Sequence, residues 1–295
     1  MAFQRELWQK FYENAWDYRA KIIQKALRGG ANSYQAIKEL AKIERIYSLE
    51  QDENGEILLK KREIENGNSL SFADVSVLRA TSMSGKYLAV PQHCSFNFAD
   101  FLIDVFEGSG GDYDCIIELG CGYGRNLFDI FYRGGRRDLA YFGGEFTQSG
   151  VKIANELAKA TPNMNAKFFH FNHLEPNLDE IKSLNFKRAF VFTCHTIEQV
   201  FKIPDNWFKV VANVANYVRC VHLEPYGFQS KILGEASLVQ EKFIKEQGWN
   251  LNFLEELLNA NRRGEIVFDE SVLEIGFGDS TNPGSIACWY AKNNG

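Results

Sequence analysis

The chain has 295 residues, 45% of them hydrophobic, and a net charge of -5 at neutral pH, which allows a sizeable core and counts against a protein built to hold nucleic acid. No run of about 18 consecutive apolar residues occurs, so no membrane span is expected. The amino terminus carries Arg5 and Lys10 among polar and aromatic residues and has no signal-peptide core. The six cysteines lie at unrepeated spacings, and Cys115, Cys194, Cys220 and Cys288 sit in runs that read as buried strands, which suits free thiols in a reducing, cytoplasmic setting.

Residues 3–49 follow an amphipathic helical pattern, with Leu7, Phe11, Ala15 and Tyr18 three or four apart and Ile22, Ile23, Ala26 and Leu27 continuing it. Gly29-Gly30 breaks this helix, and a second is predicted to start near Ser33 and end before a polar segment at 51–55. These helices offer an apolar face either to the rest of the chain or to a second copy, so a homodimer through them is one alternative. Residues 55–90 read as loops with one short helix at 72–80. Residues 83–96 read as a loop that contains His93, Ser95 and Phe96, and an apolar helix follows over 98–106.

Residues 115–131 carry the strongest signal. The run Cys-Ile-Ile-Glu-Leu suits a buried parallel strand, and Leu127, Ile130 and Phe131 then share one helical face. Between them, Gly120, Gly122 and Gly124 allow a tight turn and a close ligand approach, with the next helix aiming its free N–H groups forward. The dinucleotide fingerprint G-x-G-x-x-G would place its last glycine at Arg125, so this spacing leans away from a pyrophosphate ligand.

Downstream, strands are predicted at 139–144, 166–171, 188–194 and 217–223, with helices at 149–160, 178–184 and 204–215 between them, an alternation that specifies right-handed crossovers and a doubly wound sheet. After helices at 237–247 and 251–261, two long strands at 265–277 and 285–290 are joined by a turn suited to an antiparallel pair.

The segment from Glu118 to Gly124 reads acidic-x-Gly-x-Gly-x-Gly and, with the terminal hairpin, resembles the class I methyltransferases that use S-adenosylmethionine. The resemblance covers residues 112–292. It implies an α/β fold, a doubly wound seven-stranded sheet, mostly parallel with a C-terminal antiparallel hairpin. The expected division is a helical N-terminal extension or lid at 1–90 and a cofactor-binding methyltransferase domain at 91–295.

Ligands of such sheets bind outside the carboxyl ends of the strands. Glu145 ends the second strand about 25 residues beyond Gly120, near the roughly 20-residue offset at which a carboxylate meets ribose hydroxyls. The resemblance implies S-adenosylmethionine contacts from Glu118, Gly120, Cys121, Gly122, Glu145, Phe146, Asn172, His173 and Thr193, and it makes His93, Ser95 and Phe96 candidate contacts too, since in that family the loop before the helix preceding the glycine turn often closes the site. Asn172 stands where many relatives carry Asp, and either side chain offers an oxygen to the adenine amino group.

For the acceptor, His195 after the fourth strand is the first candidate for a base, with Glu198 three residues on and His222 and Glu224 as a competing pair at the fifth strand. His170-x-x-His173 lacks further ligands, so no zinc is expected, and a catalytic magnesium stays open. The function expected is methyl transfer to a hydroxyl of a small molecule, a sugar or sugar-nucleotide being one class. The alternatives are an amine acceptor and a catalytically silent cofactor-binding protein. A nicotinamide oxidoreductase fits less well.

Overall fold

A computed structural model describes residues 2–52, 57–61, 78–83, 86–91, 97–231, 235–273 and 282–293. Two helices lead, α1 (Ala2–Arg28) and α2 (Ser33–Ile46). The boundary of α2 is set by Asn32, whose side chain accepts from the Gln35 N–H while the Gln35 side chain accepts from the Asn32 N–H, a reciprocal cap.

Helical pattern was expected as far as residue 49, but α2 stops at Ile46 and the chain enters a hairpin of β1 (Tyr47–Gln51) and β2 (Ile57–Lys61), with Tyr47 opposite Lys61 and Leu49 opposite Leu59. A second hairpin, β3 (Leu78–Met83) and β4 (Lys86–Pro91), replaces the expected end of a short helix at 78–80 and the loop expected at 86–91. Residues 72–77 and the candidate contacts His93, Ser95 and Phe96 lie outside the described residues. The described residues of the amino-terminal third therefore include four strands as well as helices. In a two-stranded ribbon cross-strand pairing outweighs the weak local helical signal.

The remaining elements are α3 (Phe98–Gly108), β5 (Cys115–Leu119), α4 (Arg125–Arg133), β6 (Ala140–Glu145), α5 (Gln148–Lys159), β7 (Asn165–His170), α6 (Asp179–Lys182), β8 (Arg188–Cys194), α7 (Trp207–Ala212), β9 (Tyr217–Glu224), α8 (Glu235–Gln247), α9 (Phe253–Arg262), β10 (Val267–Val272) and β11 (Ser285–Lys292). They build a seven-stranded sheet in the order β10-β11-β9-β8-β5-β6-β7. The pairs β5 with β8, β8 with β9 and β6 with β7 are parallel. The last strand runs against both of its neighbours, β9 and β10. The fold is thus the doubly wound, mostly parallel α/β sheet with a carboxyl-terminal antiparallel hairpin that the sequence predicted.

The chain divides into two compact units, residues 1–69 with 121–170 and residues 70–120 with 171–295. In the first, α1 buries Ala15, Ala20 and Ile23 and is tied down by polar contacts: Gln24 Nε2 donates to Glu156, and the Glu13 carboxylate accepts from the N–H groups of Gln148 and Ser149 at the start of α5. In the second, β5 and β8 are almost wholly buried, and Trp207, Phe208, Trp289 and Phe253 pack the core around His222. Among the described residues no helix is long and apolar enough to cross a membrane.

Candidate active site

Within the first unit, the second half of the glycine turn is held to the end of β6. Cys121 N–H donates to Gly144 O at 3.0 Å, and Gly122 N–H donates to Glu145 Oε2 at 2.9 Å. Glu145 Oε1 accepts from both the N–H and the hydroxyl of Thr147, at 2.9 and 2.7 Å. Thr147 is in turn the N-cap of α5. Burial raises the Glu145 carboxyl above its usual range, and the three hydrogen bonds pull it back. The ring of Phe146 leans on His170 with centroids 5.6 Å apart.

The turn glycines sit at positive φ, but the space over their Cα atoms is filled by protein. A Cβ on Gly122, at φ 56°, would lie 2.5 Å from the ring of Trp16, and one on Gly124, at φ 82°, would lie 2.5 Å from Phe168. The missing Cβ at each of these two positions makes room for a packed aromatic ring. Trp16 itself stacks edge-on to Tyr123 and lies under the guanidinium of Arg19.

In the second unit, Glu118 is buried on β5, and Gly120, at φ 85°, faces Thr196, whose hydroxyl would stand 1.9 Å from an added Cβ. Asn172 uses its side-chain oxygen to accept from Leu174 N–H at 3.0 Å, closing its own loop. His173 Nδ1 accepts from Trp207 Nε1 at 3.2 Å, so its proton sits on Nε2, which meets Thr196 Oγ1 at 3.2 Å. Burial drives the His173 pKa down to about 3.

A buried chain of polar groups then runs from β11 to the turn after β8. Trp289 Nε1 donates to His222 Nε2 at 2.8 Å, which leaves the His222 proton on Nδ1, 2.9 Å from Thr193 Oγ1. The Thr193 side chain also favours the charged form of Glu224. The Glu224 carboxylate also accepts from the N–H groups of Thr196, Ile197 and Glu198 at 3.1 to 3.3 Å, forming a nest for its charge. Burial, reinforced by the charge of Glu198 and offset by His195 and these hydrogen bonds, pushes Glu224 up to about 7. Burial lowers His222 to about 3, with His173 adding to the shift. Thr193 and His222 have no exposed surface, and Glu224 is 2% exposed.

His195 stands apart from this chain. Its side chain is 29% exposed, its backbone is in the left-handed region at φ 50°, and its Nδ1 lies 3.0 Å from Glu198 Oε1. Its N–H donates to Leu223 O and its carbonyl accepts from Gln199 Nε2, so the strained residue is pinned on both sides. Glu198 is fixed at its other oxygen by Asn282 Nδ2 at 2.7 Å.

Sequence reasoning did not find Trp16, Glu13, Thr196 or Asn282, because each meets its partner across a long stretch of chain. Thr147 was more accessible to it: a threonine opening a helix two residues beyond Glu145 is a local signal. Among the described residues there is no group of three or more His, Cys, Asp or Glu able to hold a metal. An open cleft lined by Lys209, Asn213, Tyr290 and Lys292 lies at the amino-terminal end of β9, the edge opposite His195.

No family model matches the chain, and no curated protein does. Among solved structures it is similar to the N-terminal domain of EvdMO1 with SAH bound, at 14% identity over 68% of this chain and 82% of that one, TM-score 0.41. It is also similar to geranyl diphosphate methyltransferase in complex with GPP and sinefungin, at 13% identity over 66% and 77%, TM-score 0.45. A third is a SAM dependent methyltransferase from Aquifex aeolicus, at 13% identity over 64% and 88%, TM-score 0.43.

Proposed function

We propose that the chain is an S-adenosylmethionine-dependent methyltransferase that acts on a hydroxyl of a small molecule. The observation that carries this is the sheet order, with β11 inserted antiparallel between β9 and β10, together with a glycine turn tied to the acidic end of β6. Fold alone does not assign chemistry, so the residues must also fit. Glu145 Oε2 has one hydrogen bond from Gly122, which leaves it acceptor capacity for a hydroxyl donor such as a ribose.

Glu145 is assigned to the ribose, with Cys121, Gly122 and Phe146 beside it in the chain fold. Glu118, Gly120 and Asn172 keep the cofactor roles that the resemblance implies. His173 and Thr193 support the turn at Thr196 and the Glu224 nest respectively. The cofactor supplies a methyl group on a cationic sulfur, so the protein's task is to hold the acceptor and manage its proton.

His195 takes that proton at Nε2, while Glu198 accepts from Nδ1 and stabilises the charge that develops on the ring. His222 and Glu224, the competing pair, serve instead as the buried support of the turn that carries His195. The acidic surface balance favours a small acceptor over a nucleic acid.

The test is a screen of hydroxyl and amine acceptors, following production of S-adenosylhomocysteine. Turnover with hydroxyl acceptors that His195→Ala lowers by ~100- to 10000-fold supports the assignment. Turnover with amines alone, indifferent to His195→Ala, contradicts it.

A further inference from the structure

His195 and Glu198 are the end of a longer chain of contacts that begins at a backbone group. The N–H of Phe228 donates to Gln240 Oε1 at 3.2 Å, and a backbone N–H can only be a donor. The orientation of the Gln240 amide is thereby fixed, with Nε2 turned toward Asn282 Oδ1 at 3.1 Å and Pro283 O at 2.8 Å. Asn282 is fixed in the same way: its oxygen faces Gln240, so its Nδ2 faces Glu198 Oε2 at 2.7 Å. Glu198 then has Oε1 left for His195 Nδ1 at 3.0 Å. Gln240 has no exposed surface, Glu198 is 7% exposed and Asn282 8%.

We infer that Asn282, held by Gln240, is a positioning residue that fixes the Glu198 carboxylate and thereby sets the His195 proton on Nδ1, which makes Nε2 the nitrogen that takes the acceptor's proton. The inference rests on the methyltransferase reading for its catalytic meaning, but the tautomer is a property of the folded chain alone. The step it supports balances simply. The hydroxyl proton moves to His195 Nε2, the oxygen's electron pair forms the bond to the methyl carbon, and the electron pair of the broken carbon–sulfur bond stays on sulfur. An acceptor proton can enter the ring at Nε2 only if that nitrogen is bare, which ties the rate to the tautomer.

The test uses the full chain with 15N-labelled histidine and long-range proton–nitrogen spectra at a pH where His195 is neutral. The peak is assigned by its loss in His195→Ala. The wild type should carry the His195 proton on Nδ1. In Asn282→Ala, and in the volume-matched Asn282→Leu if the first does not fold, the ring should move toward the Nε2–H form, and kcat should fall by about 10-fold or more with the affinity for S-adenosylhomocysteine unchanged. Glu198→Gln should invert the tautomer, since Asn282 would hold the new amide by its oxygen and leave its NH2 to donate to Nδ1. The peaks of buried His173 and His222 should stay in place throughout, which separates this effect from general loosening.

A wild-type ring already protonated on Nε2, or an Asn282→Leu variant that keeps the Nδ1 proton, would overturn the inference. If the tautomers behave as described but S-adenosylhomocysteine does not bind, the positioning holds and the methyltransferase reading falls.

Discussion

Glu145 Oε2 accepts the N–H of Gly122 at 2.9 Å, so the carboxylate that ends β6 holds the glycine turn in shape, and it is the same carboxylate that the proposed function assigns to the ribose. Glu145→Ala should therefore have two effects. Affinity for S-adenosylhomocysteine should fall by the cost of lost charge-assisted hydrogen bonds, about 1.5 to 3 kcal/mol. The melting temperature of the ligand-free protein should fall too, because Gly122 and Thr147 lose their acceptor. Calorimetric titration and thermal unfolding check both, and an unchanged affinity would remove Glu145 from the ribose.

Glu224 receives the N–H groups of three consecutive residues, Thr196, Ile197 and Glu198, and so anchors the turn that presents His195. Glu224→Gln should lower both stability and turnover, because an amide places a donor against backbone donors. His195→Ala should lower turnover while leaving S-adenosylhomocysteine affinity intact. Glu224→Gln with full stability and selectively lost turnover would instead make Glu224 the base.

Gly120→Ala tests the packing of the turn. The new Cβ would meet Thr196 at 1.9 Å from its hydroxyl and 2.5 Å from its Cβ, at φ 85°, where an L side chain is itself strained. The variant should be destabilised, and adding Thr196→Gly should recover the steric part while leaving the roughly 1 to 2 kcal/mol conformational part. No recovery in the double variant would show that Thr196 is not what limits the turn.

Acid should destabilise the protein in a specific window. His173 and His222 have folded pKa values near 3 against 6.5 for a free imidazole, so the unfolded chain binds more protons between those values and stability is lost as pH falls from 6.5 toward 3. Glu224, near 7 against 4.5, and Glu145, also raised, act in the opposite sense, with their contribution lost as pH rises from 4.5. Below pH 4.5 the imidazoles act without that compensation, and each contributes a slope of about 1.4 kcal/mol per pH unit. Denaturant unfolding between pH 4.5 and 3.5 should show that steepening, and His222→Asn should reduce it. A flat profile would mean that the two imidazoles are not held neutral.

What the sequence disclosed was what depends on near neighbours. The strand and helix around Gly120 to Gly124, the alternation through β9 and the closing hairpin all leave periodic traces within a few residues. The β1–β2 and β3–β4 ribbons do not, because their stability lies in pairing across the hairpin and their strands are short. The same limit applied to the site. His195 and Glu198 are three residues apart, a spacing that allowed either their contact or a carboxylate at a helix start, and the structure shows the contact. His222 could not be told from a base, because its burial is set by Trp289 and Thr193, which are 67 and 29 residues away. The packing on the glycines was equally hidden, since Thr196, Trp16 and Phe168, which lie where a Cβ would stand on Gly120, Gly122 and Gly124, are none of them adjacent in sequence.

The central claim is that the glycine turn and Glu145 serve S-adenosylmethionine and not a dinucleotide. Isothermal titration of the full chain with S-adenosylhomocysteine and, separately, with NAD tests it most directly, with thermal unfolding of each mixture as a second readout. S-adenosylhomocysteine should bind at one site per chain and raise the melting temperature, weakly or not at all in Glu145→Ala, while NAD should leave both measurements unchanged. Binding and stabilisation by NAD with none by S-adenosylhomocysteine would contradict the account.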